Sequence, residues 1–464
     1  MAAPAVADHE HRVGAPPGAQ PSGVYRPRRP RASPLYGLLD RRFRHLSLVY
    51  DEQFAHTYGP WRAVVPAVVD RFLACGILEH GFARVRCDAC AHEYLLAFSC
   101  RSRYFCPSCH AKRLARWTLW LDETLLAPVP HRQVVLTIPK RLRPYCLYRR
   151  ALLGDLARLA ARIVTAGVRA TTGESDLRVG IIACLQTHGS LANWHPHLHL
   201  IVTDGGFRPD GTFVRWPGWP AYDSAALSEA FRRAVLRLFV RRGFFDEDQA
   251  EGMLQWPHSG FHVHAGVGVS EDDRPFALRL ARYCARNPLA LDRLTYEPAT
   301  EQLTYRSDKS DGPTAGTQTL DPLEFLARLL THIPDPGQVM TRYYGWYASR
   351  TRGTRARLAS DGRRLTADGI SVDEPVAITE PVNWSLRAAR YRWAELLRRI
   401  YEADPLACPR CAAPMRIVAV ITDPAVITLI LVHRVRSLER ARQSRSPPPS
   451  RRPSSALATG GPPR

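Results

Sequence analysis

Three groups of residues in this chain have types and spacings suited to chemistry: paired cysteines, histidines alternating along an apolar run, and a tyrosine among arginines. Cys87-x2-Cys90 is followed, fifteen residues on, by Cys106-x2-Cys109. Two short cysteine pairs at that separation match a four-thiolate zinc site, each pair curling round the metal while the spacer folds back. Four thiolates leave no open coordination position, so this Zn²⁺ is expected to be structural. Cys75, Cys100, His80, His92 and His110 could complete a second site, or be ordinary buried and surface residues. Between 98 and 116 stand Arg101, Arg103, Lys112, Arg113 and Arg116 with no acid among them, and Tyr104 and Phe105 offer stacking surfaces. That mixture suits nucleic-acid binding, with a protein-docking zinc fold as the competing reading.

The histidines lie in 194–204. On a strand, alternate side chains share a face, so His195, His197 and His199 point one way and Pro196, Leu198, Leu200 and Val202 the other. The apolar set fits against helices, and aligned imidazoles on an open face suit metal ligation. The run 179–188 places Gln186 and His188 on one face, either of which could supply a third ligand, Gln186 being the one expected. His262 and His264 also share a face, with Gly266 and Gly268. If their strand lies two places from the histidine strand, the gap is about 9–10 Å, against a His–metal bond of ~2 Å. His264 is therefore expected to contact DNA or support the ligands. Tyr283 has Arg279 four residues before it, Arg286 three after and Arg282 beside it. Guanidiniums there could stabilise a phenolate and clamp phosphate; alone, the same pattern also describes a half-buried helix tyrosine among surface arginines.

The elements that must position these groups follow from periodicity. Residues 36–80 read as helical, 82–109 as short strands between cysteines, and 110–126 as a helix. Then come strand 132–139, helix 149–170, strands 179–188 and 194–204, helix 224–243, strand 260–270 and helix 272–287. The order β-α-β-β-α-β is that of a ferredoxin-like antiparallel sheet with helices on one face and the other free for a ligand. The expected class is α+β, with a separate N-terminal zinc-binding module and disordered basic tails.

Composition narrows the partner. The 464 residues carry a formal charge of +21, and all but three of the 64 basic residues (Lys112, Lys140, Lys309) are arginine. Such an excess favours a polyanion, and nucleic acid is the usual one. No signal peptide is apparent, and no stretch approaches the ~18 apolar residues of a membrane helix; the best candidate, 417–432, contains Asp423 and Pro424. Of eleven cysteines, six fall between 75 and 109, which favours metal binding in a reducing compartment over disulfides. The reading is a soluble, intracellular protein without membrane association.

Together the segments FLACGILEHGFARVRCDAC (72–90), FSCRSRYFCPSCHAKR (98–113), HPHLHLIVTDGGF (195–207), FHVHAGV (261–267), LARYCARNPLALDRL (280–294), TRYYGWYA (341–348) and WAELLRRIYEADPLACPRC (393–411) resemble rolling-circle insertion-sequence transposases of the HUH-tyrosine class, with an N-terminal zinc-binding domain. The resemblance implies a basic arm at 1–35, a zinc- and DNA-binding domain at 36–126 and an HUH-type catalytic domain at 130–348. A basic linker at 349–385, a helical CxxC segment at 386–433 and an Arg/Pro/Ser tail at 434–464 follow. It implies that His197 and His199 hold Mg²⁺ or Mn²⁺, to which the adjacent strand would add Gln186, and that Tyr283 is the nucleophile forming a 5′-phosphotyrosine. Arg279, Arg282, Arg286, Arg101, Arg103, Lys112 and Arg113 would contact DNA, single-stranded at the transposon ends, with Trp194 available for stacking. Position 279 is Arg and 287 is Asn, so this is a single-tyrosine form. The setting implied is a bacterial cytoplasm, at the nucleoid. Cys408-x2-Cys411 reads as half a zinc knuckle completed elsewhere, or a plain turn. The competing functions are a zinc-containing DNA-binding regulator or inactive remnant, and, more distantly, a small-molecule metallohydrolase.

Overall fold

The computed structural model describes residues 29–102, 104–216, 224–360 and 406–443. Arg103, most of the basic arm (1–28), residues 361–405 of the expected linker and helical CxxC segment, and the tail beyond 443 lie outside the described residues.

Helices α1 (Pro34–Gln53), α2 (Ala55–Tyr58) and α3 (Val64–Leu73) come first, then a hairpin of β1 (Phe82–Cys87) and β2 (Glu93–Ala97), then α4 (Pro107–Trp120). The central stretch runs β3 (His131–Thr137), α5 (Arg143–Tyr148), α6 (Ala151–Thr172), β4 (Gly180–His188) and β5 (Trp194–Thr203). It continues through β6 (Gly205–Phe207), β7 (Phe213–Arg215), α7 (Ser224–Arg241), α8 (Glu247–Leu254), β8 (His262–Val269) and α9 (Arg274–Cys284). After it come β9 (Leu294–Glu297), β10 (Gln302–Arg306), β11 (Thr317–Leu320), α10 (Pro322–Leu330), β12 (Thr341–Gly345) and α11 (Ser349–Ser360). The last described elements are β13 (Met415–Ile421) and α12 (Pro424–Gln443).

The main sheet has the order β12-β4-β5-β3-β8 with every neighbouring pair antiparallel. The four strands expected from periodicity occupy its last four places, and β8 lies two strands from β5. One face carries Val134, Leu136, Leu198, Leu200 and Val202 against Leu152, Leu156 and Val164 of α6 and Phe231 and Val235 of α7. Burial of alternate strand residues against one helical stripe fixes the register, because a one-residue slip would turn the whole apolar set outward. Gly173, at φ +74°, closes α6 through its N–H to the Arg169 carbonyl, a left-handed position that glycine adopts without a Cβ clash.

The second face is not free, contrary to the sequence expectation. Ile182, Cys184 and Ile201 are covered by Ala277, Leu280, Ala281 and Cys284 of α9 and by Leu121 and Leu125 beyond α4. The spacing i, i+3, i+4, i+7 gives α9 an apolar stripe, and this sheet face is where it is buried. Nor is the N-terminal region separate. Leu35, Leu38 and Leu46 of α1 and Val65, Val69 and Phe72 of α3 share one core with Tyr296, Tyr305 and, from α10, Phe325 and Leu329.

Two further departures concern the C-terminal part. Residues 349–360, expected as linker, form α11, anchored where Arg355 lies 3.8 Å from the centroid of Trp346 and donates to its carbonyl. β13 pairs antiparallel with β1, completing a three-stranded sheet β13-β1-β2. The tail expected from 434 begins as the continuation of α12, which runs to Gln443 and packs Ile427 with Phe82 and Leu95. Among the described residues no helix is long and apolar enough to cross a membrane.

Candidate metal centres and tyrosine site

The quartet Cys87, Cys90, Cys106 and Cys109 is not one site. The structure divides it between two clusters, Cys75–Cys100–Cys106–Cys109 and Cys87–Cys90–Cys408–Cys411. The spacing argument fails because β1 and β2 carry the two pairs to opposite ends of the hairpin: Cys87 and Cys90 sit at its turn, whereas the pair at 106–109 opens α4 beside the end of α3.

In the inner cluster Cys75 follows α3, Cys100 follows β2, and Cys106 and Cys109 belong to the N-cap and first turn of α4. Sulfur separations are 3.9 Å for Cys75–Cys106, 3.6 Å for Cys75–Cys109 and 3.5 Å for Cys100–Cys109. The outer cluster has Cys87–Cys411 at 3.6 Å and Cys90–Cys408 at 3.5 Å. Zn–S bonds of ~2.3 Å in a tetrahedron require sulfurs about 3.8 Å apart, whereas a disulfide needs ~2.05 Å. All-thiol donors at this spacing fit Zn²⁺. Backbone N–H groups of Cys100 and Ser102 donate to the sulfurs of Cys75 and Cys100. His80 is exposed and His92 serves the outer knuckle through its carbonyl, which accepts from Cys87 N–H. His110 takes no part either: it is buried, its Nδ1 accepts from Tyr104 N–H, and its Nε2 faces the Ala285 carbonyl at 2.8 Å.

The outer cluster's two halves have matching backbones. Cys87 N–H donates to His92 O and Cys408 N–H to Ala413 O, and the residue after each second cysteine, Ala91 or Ala412, has φ of 55° or 57°. Both read Cys-x-x-Cys-Ala. That shared pentapeptide was the available signal that the orphan pair at 408 belongs with the pair at 87.

On the main sheet, β5 places His195, His197 and His199 on the face that α9 covers. Ring centroids are 5.1 Å apart for His195–His197 and 4.8 Å for His197–His199. Register sets Gln186 directly opposite His197. His197 Nδ1 lies 2.7 Å from the His195 carbonyl, fixing that nitrogen as the donor and leaving Nε2 free. Gln133 lies 2.9 Å from His199 Nδ1. Gln186 donates to the carbonyls of Tyr283 and Cys284 at 2.9 and 2.8 Å, while its Oε1 is buried without a partner. An orphaned buried carbonyl oxygen beside two imidazoles is what a divalent cation would satisfy, so these residues fit such an ion. Desolvation by the surrounding protein lowers His197 to about 4 and His199 well below the usual imidazole range, keeping both neutral and able to ligate at pH 7. His188 is also buried with Nε2 unpartnered, past a bulge that sets it opposite Trp194.

Tyr283 stands in the last turn of α9, half exposed, its ring edge-on to His199 with centroids 5.5 Å apart. The Arg286 guanidinium lies 4.8 Å from the Tyr283 ring centroid. Asp273 caps α9 by accepting from Phe276 N–H, and Gln186 binds its last carbonyls, so both ends of the tyrosine helix are tied down. Arg286, expected on this helix, lies past its end and pairs with Asp308 at 2.8 Å, which spends part of its charge. Arg279 and Arg282 are exposed, Arg279 over Phe276. Arg101 is exposed in the inner-cluster loop, Lys112 lies half-buried on α4, and Arg113 covers Tyr104. His262 and His264 are exposed at the far side of β3.

Two expected stacking surfaces are instead structural. Phe105 is buried edge-on against Phe72. Trp194 donates to the Arg143 carbonyl and stacks on His332. Both were exposed in expectation because sequence shows an aromatic ring but not its neighbours.

The chain is similar to known transposases. Residues 180–355 match the family described as "Putative transposase", and residues 47–138 match the "Transposase zinc-binding domain". The chain is 27% identical over 384 residues to the transposase for insertion sequence element IS801 of Pseudomonas savastanoi pv. phaseolicola, covering 79% of this chain and 87% of that protein. It is 28% identical over 346 residues to "Putative transposase y4qJ" of Sinorhizobium fredii (strain NBRC 101917 / NGR234), covering 70% of this chain and 81% of that one. No solved structure matches. These matches support an insertion-sequence transposase of the IS91 type, an enzyme with an N-terminal zinc-binding domain. Its partner is accordingly DNA.

Proposed function

We propose that this transposase cuts and rejoins single-stranded DNA at the transposon ends through Tyr283, by a rolling-circle-like route. The observation that carries the reading is the Tyr283 ring against His199, beside Gln186 Oε1. The strand order of the main sheet supports a ferredoxin-like, HUH-type framework with one added edge strand. His197, His199 and Gln186 would hold Mg²⁺ or Mn²⁺. A bound cation would polarise the scissile phosphate and offset charge on the leaving oxygen.

The chain's own groups do the rest. Tyr283 Oη attacks phosphorus, giving up its proton as the Oη–P bond forms. The P–O3′ bond breaks, the 3′-oxygen takes up a proton, and the DNA 3′ of the cut stays on Tyr283 through its 5′-phosphate. Attack by another strand's 3′-hydroxyl on that phosphotyrosine reverses the exchange without ATP. Arg279 and Arg282 on the exposed side of α9, and Arg113 on the adjacent α4, offer phosphate contacts. Work at the bacterial nucleoid follows from this substrate.

The test uses 5′- and 3′-labelled single strands carrying the element's ends, Mn²⁺ and denaturing gels. Wild-type protein is expected to retain the label 3′ of the cut, and Tyr283→Phe and His197→Ala to retain none. An adduct that persists in Tyr283→Phe places the nucleophile elsewhere. End DNA that is bound but never captured supports the second reading, a zinc-containing DNA-binding regulator or inactive remnant.

A further inference from the structure

The side of the main sheet covered by α6 and α7 has a concentration of positive charge that the tyrosine site does not use. Arg158 and Arg162 of α6, with Arg241 and Arg242 at the end of α7, ring a cleft of about 470 Å³ whose one acid is Asp155. Asp155 is buried, and its two carboxylate oxygens are taken, one by Arg158 and the other by Arg242 at 2.6 Å. Arg162 and Arg241 are exposed. A further guanidinium meets α6 from the edge strand, outside the lining of the cleft. Arg342 of β12 crosses Gly154, where a Cβ would stand 2.7 Å from its Nη2, and its Nε is buried with no partner. The glycine one residue before Asp155 is thus what lets Arg342 reach α6.

The arrangement favours a polymer of phosphates over a single anion. Arg158 and Arg162 are one helical turn apart, about 5–6 Å between Cβ atoms, and so present donors in series along α6. The lining includes Leu159 and Leu238 and no aromatic ring, so it offers backbone contacts but no platform for bases. Contacts of that kind are independent of sequence. The cleft also lies on the opposite side of the sheet from Tyr283, since α6 and α7 bury Leu198 and Leu200 while α9 covers His199.

We propose that this arginine cleft holds the backbone of a second single-stranded DNA segment while a first is engaged at the tyrosine face. It rests on DNA as the partner and not on the chemistry of Tyr283. Strand transfer joins two DNA segments, and a site on each face would keep both on one molecule.

The experiment is a two-strand capture with the full chain: protein loaded on a biotinylated strand, then offered a second, fluorescent strand. In the Arg158→Glu/Arg162→Glu/Arg241→Glu variant, second-strand capture should fall about tenfold or more and lose its steep salt dependence, with first-strand affinity within ~3-fold. The matching Arg→Lys variant keeps the charge and should retain capture, which separates lost charge from lost fold. Unchanged capture in the Glu variant overturns the proposal. Loss of both strands together in the Glu variant, with the Lys variant intact, overturns it too, because the sites are then not distinct. Phosphotyrosine formation is scored in parallel. Normal adduct with unchanged capture sinks only this proposal, and charge-dependent capture without any adduct sinks only the tyrosine reading.

Discussion

The two cysteine clusters offer the same four donors at nearly the same spacing, yet they are built in opposite ways. The inner one draws its ligands from a 35-residue window, Cys75 to Cys109, and sits in the core that joins α1, α3 and α10. The outer one joins two knuckles more than 300 residues apart, has Cys411 exposed, and among the described residues packs in a small cluster around Val85 and Met415. The first is local in sequence and global in consequence. The second is remote in sequence and local in consequence. Metal chemistry does not distinguish them; what surrounds the sulfurs does.

The largest expected effect tests the inner cluster. Cys109→Ser removes a buried ligand from the principal N-terminal core, and structural zinc is worth on the order of 10 kcal/mol in small zinc domains. The variant should fail to fold, seen as loss of the cooperative thermal transition and of soluble yield. A well-folded Cys109→Ser protein with one zinc would show that the core stands without the metal.

Cys411→Ser should act more narrowly. Zinc measured by plasma mass spectrometry is expected to fall from about two to about one per chain, and proteases should gain access near β13. The main unfolding transition should move by no more than a few degrees. A collapse as complete as that of Cys109→Ser would erase the contrast between the clusters.

Acid tests the fold without replacing a cysteine, although it also weakens zinc binding by protonating thiolates. His131 is buried, its Nε2 lies 2.7 Å from Tyr347 Oη, and desolvation holds its pKa down to about 4 from 6.5; burial lowers His332 to about 3. A depressed histidine stays neutral in the folded protein while its unfolded counterpart takes up a proton. Stability is therefore full above about pH 6.5 and is lost as pH falls from there through the folded values, by about 3 kcal/mol for His131 alone. Denaturant midpoints between pH 7.5 and 4.5 check this, with zinc content followed alongside. Constant midpoints down to pH 4.5 would contradict it.

The smallest effect belongs to the knuckles. Ala91 and Ala412 occupy the left-handed region, so Ala412→Gly should stabilise the outer cluster slightly, by up to about 1 kcal/mol. Slower zinc loss to a chelator would register it. Faster loss would mean that chain entropy outweighs the relieved strain.

Much of the architecture was legible along the chain. Periodicity located the four strands and two helices of the central order to within a few residues, because each carries its burial pattern in consecutive positions. Alternation put His195, His197 and His199 on one face for the same reason. The proximity of Tyr283 to His199 was not readable from spacing, since it depends on α9 folding back over a face that appeared open. Phe105 and Trp194 differ from expectation for a common reason: each can be named as aromatic from the sequence, while burial and stacking set what it does.

Residue type and local spacing thus determined by themselves that the chain is basic, rich in thiol pairs, and built round a strand of three histidines. Only the tertiary structure decided how the cysteines divide. A pair of sulfurs specifies a knuckle through a few backbone torsions, but which knuckles share a metal is set by strand pairing. Here β13 returning to β1 brings Cys408 and Cys411 to Cys87 and Cys90. A hydrogen-bonded ladder places residues next to each other regardless of their separation along the chain, and no local pattern encodes that distance.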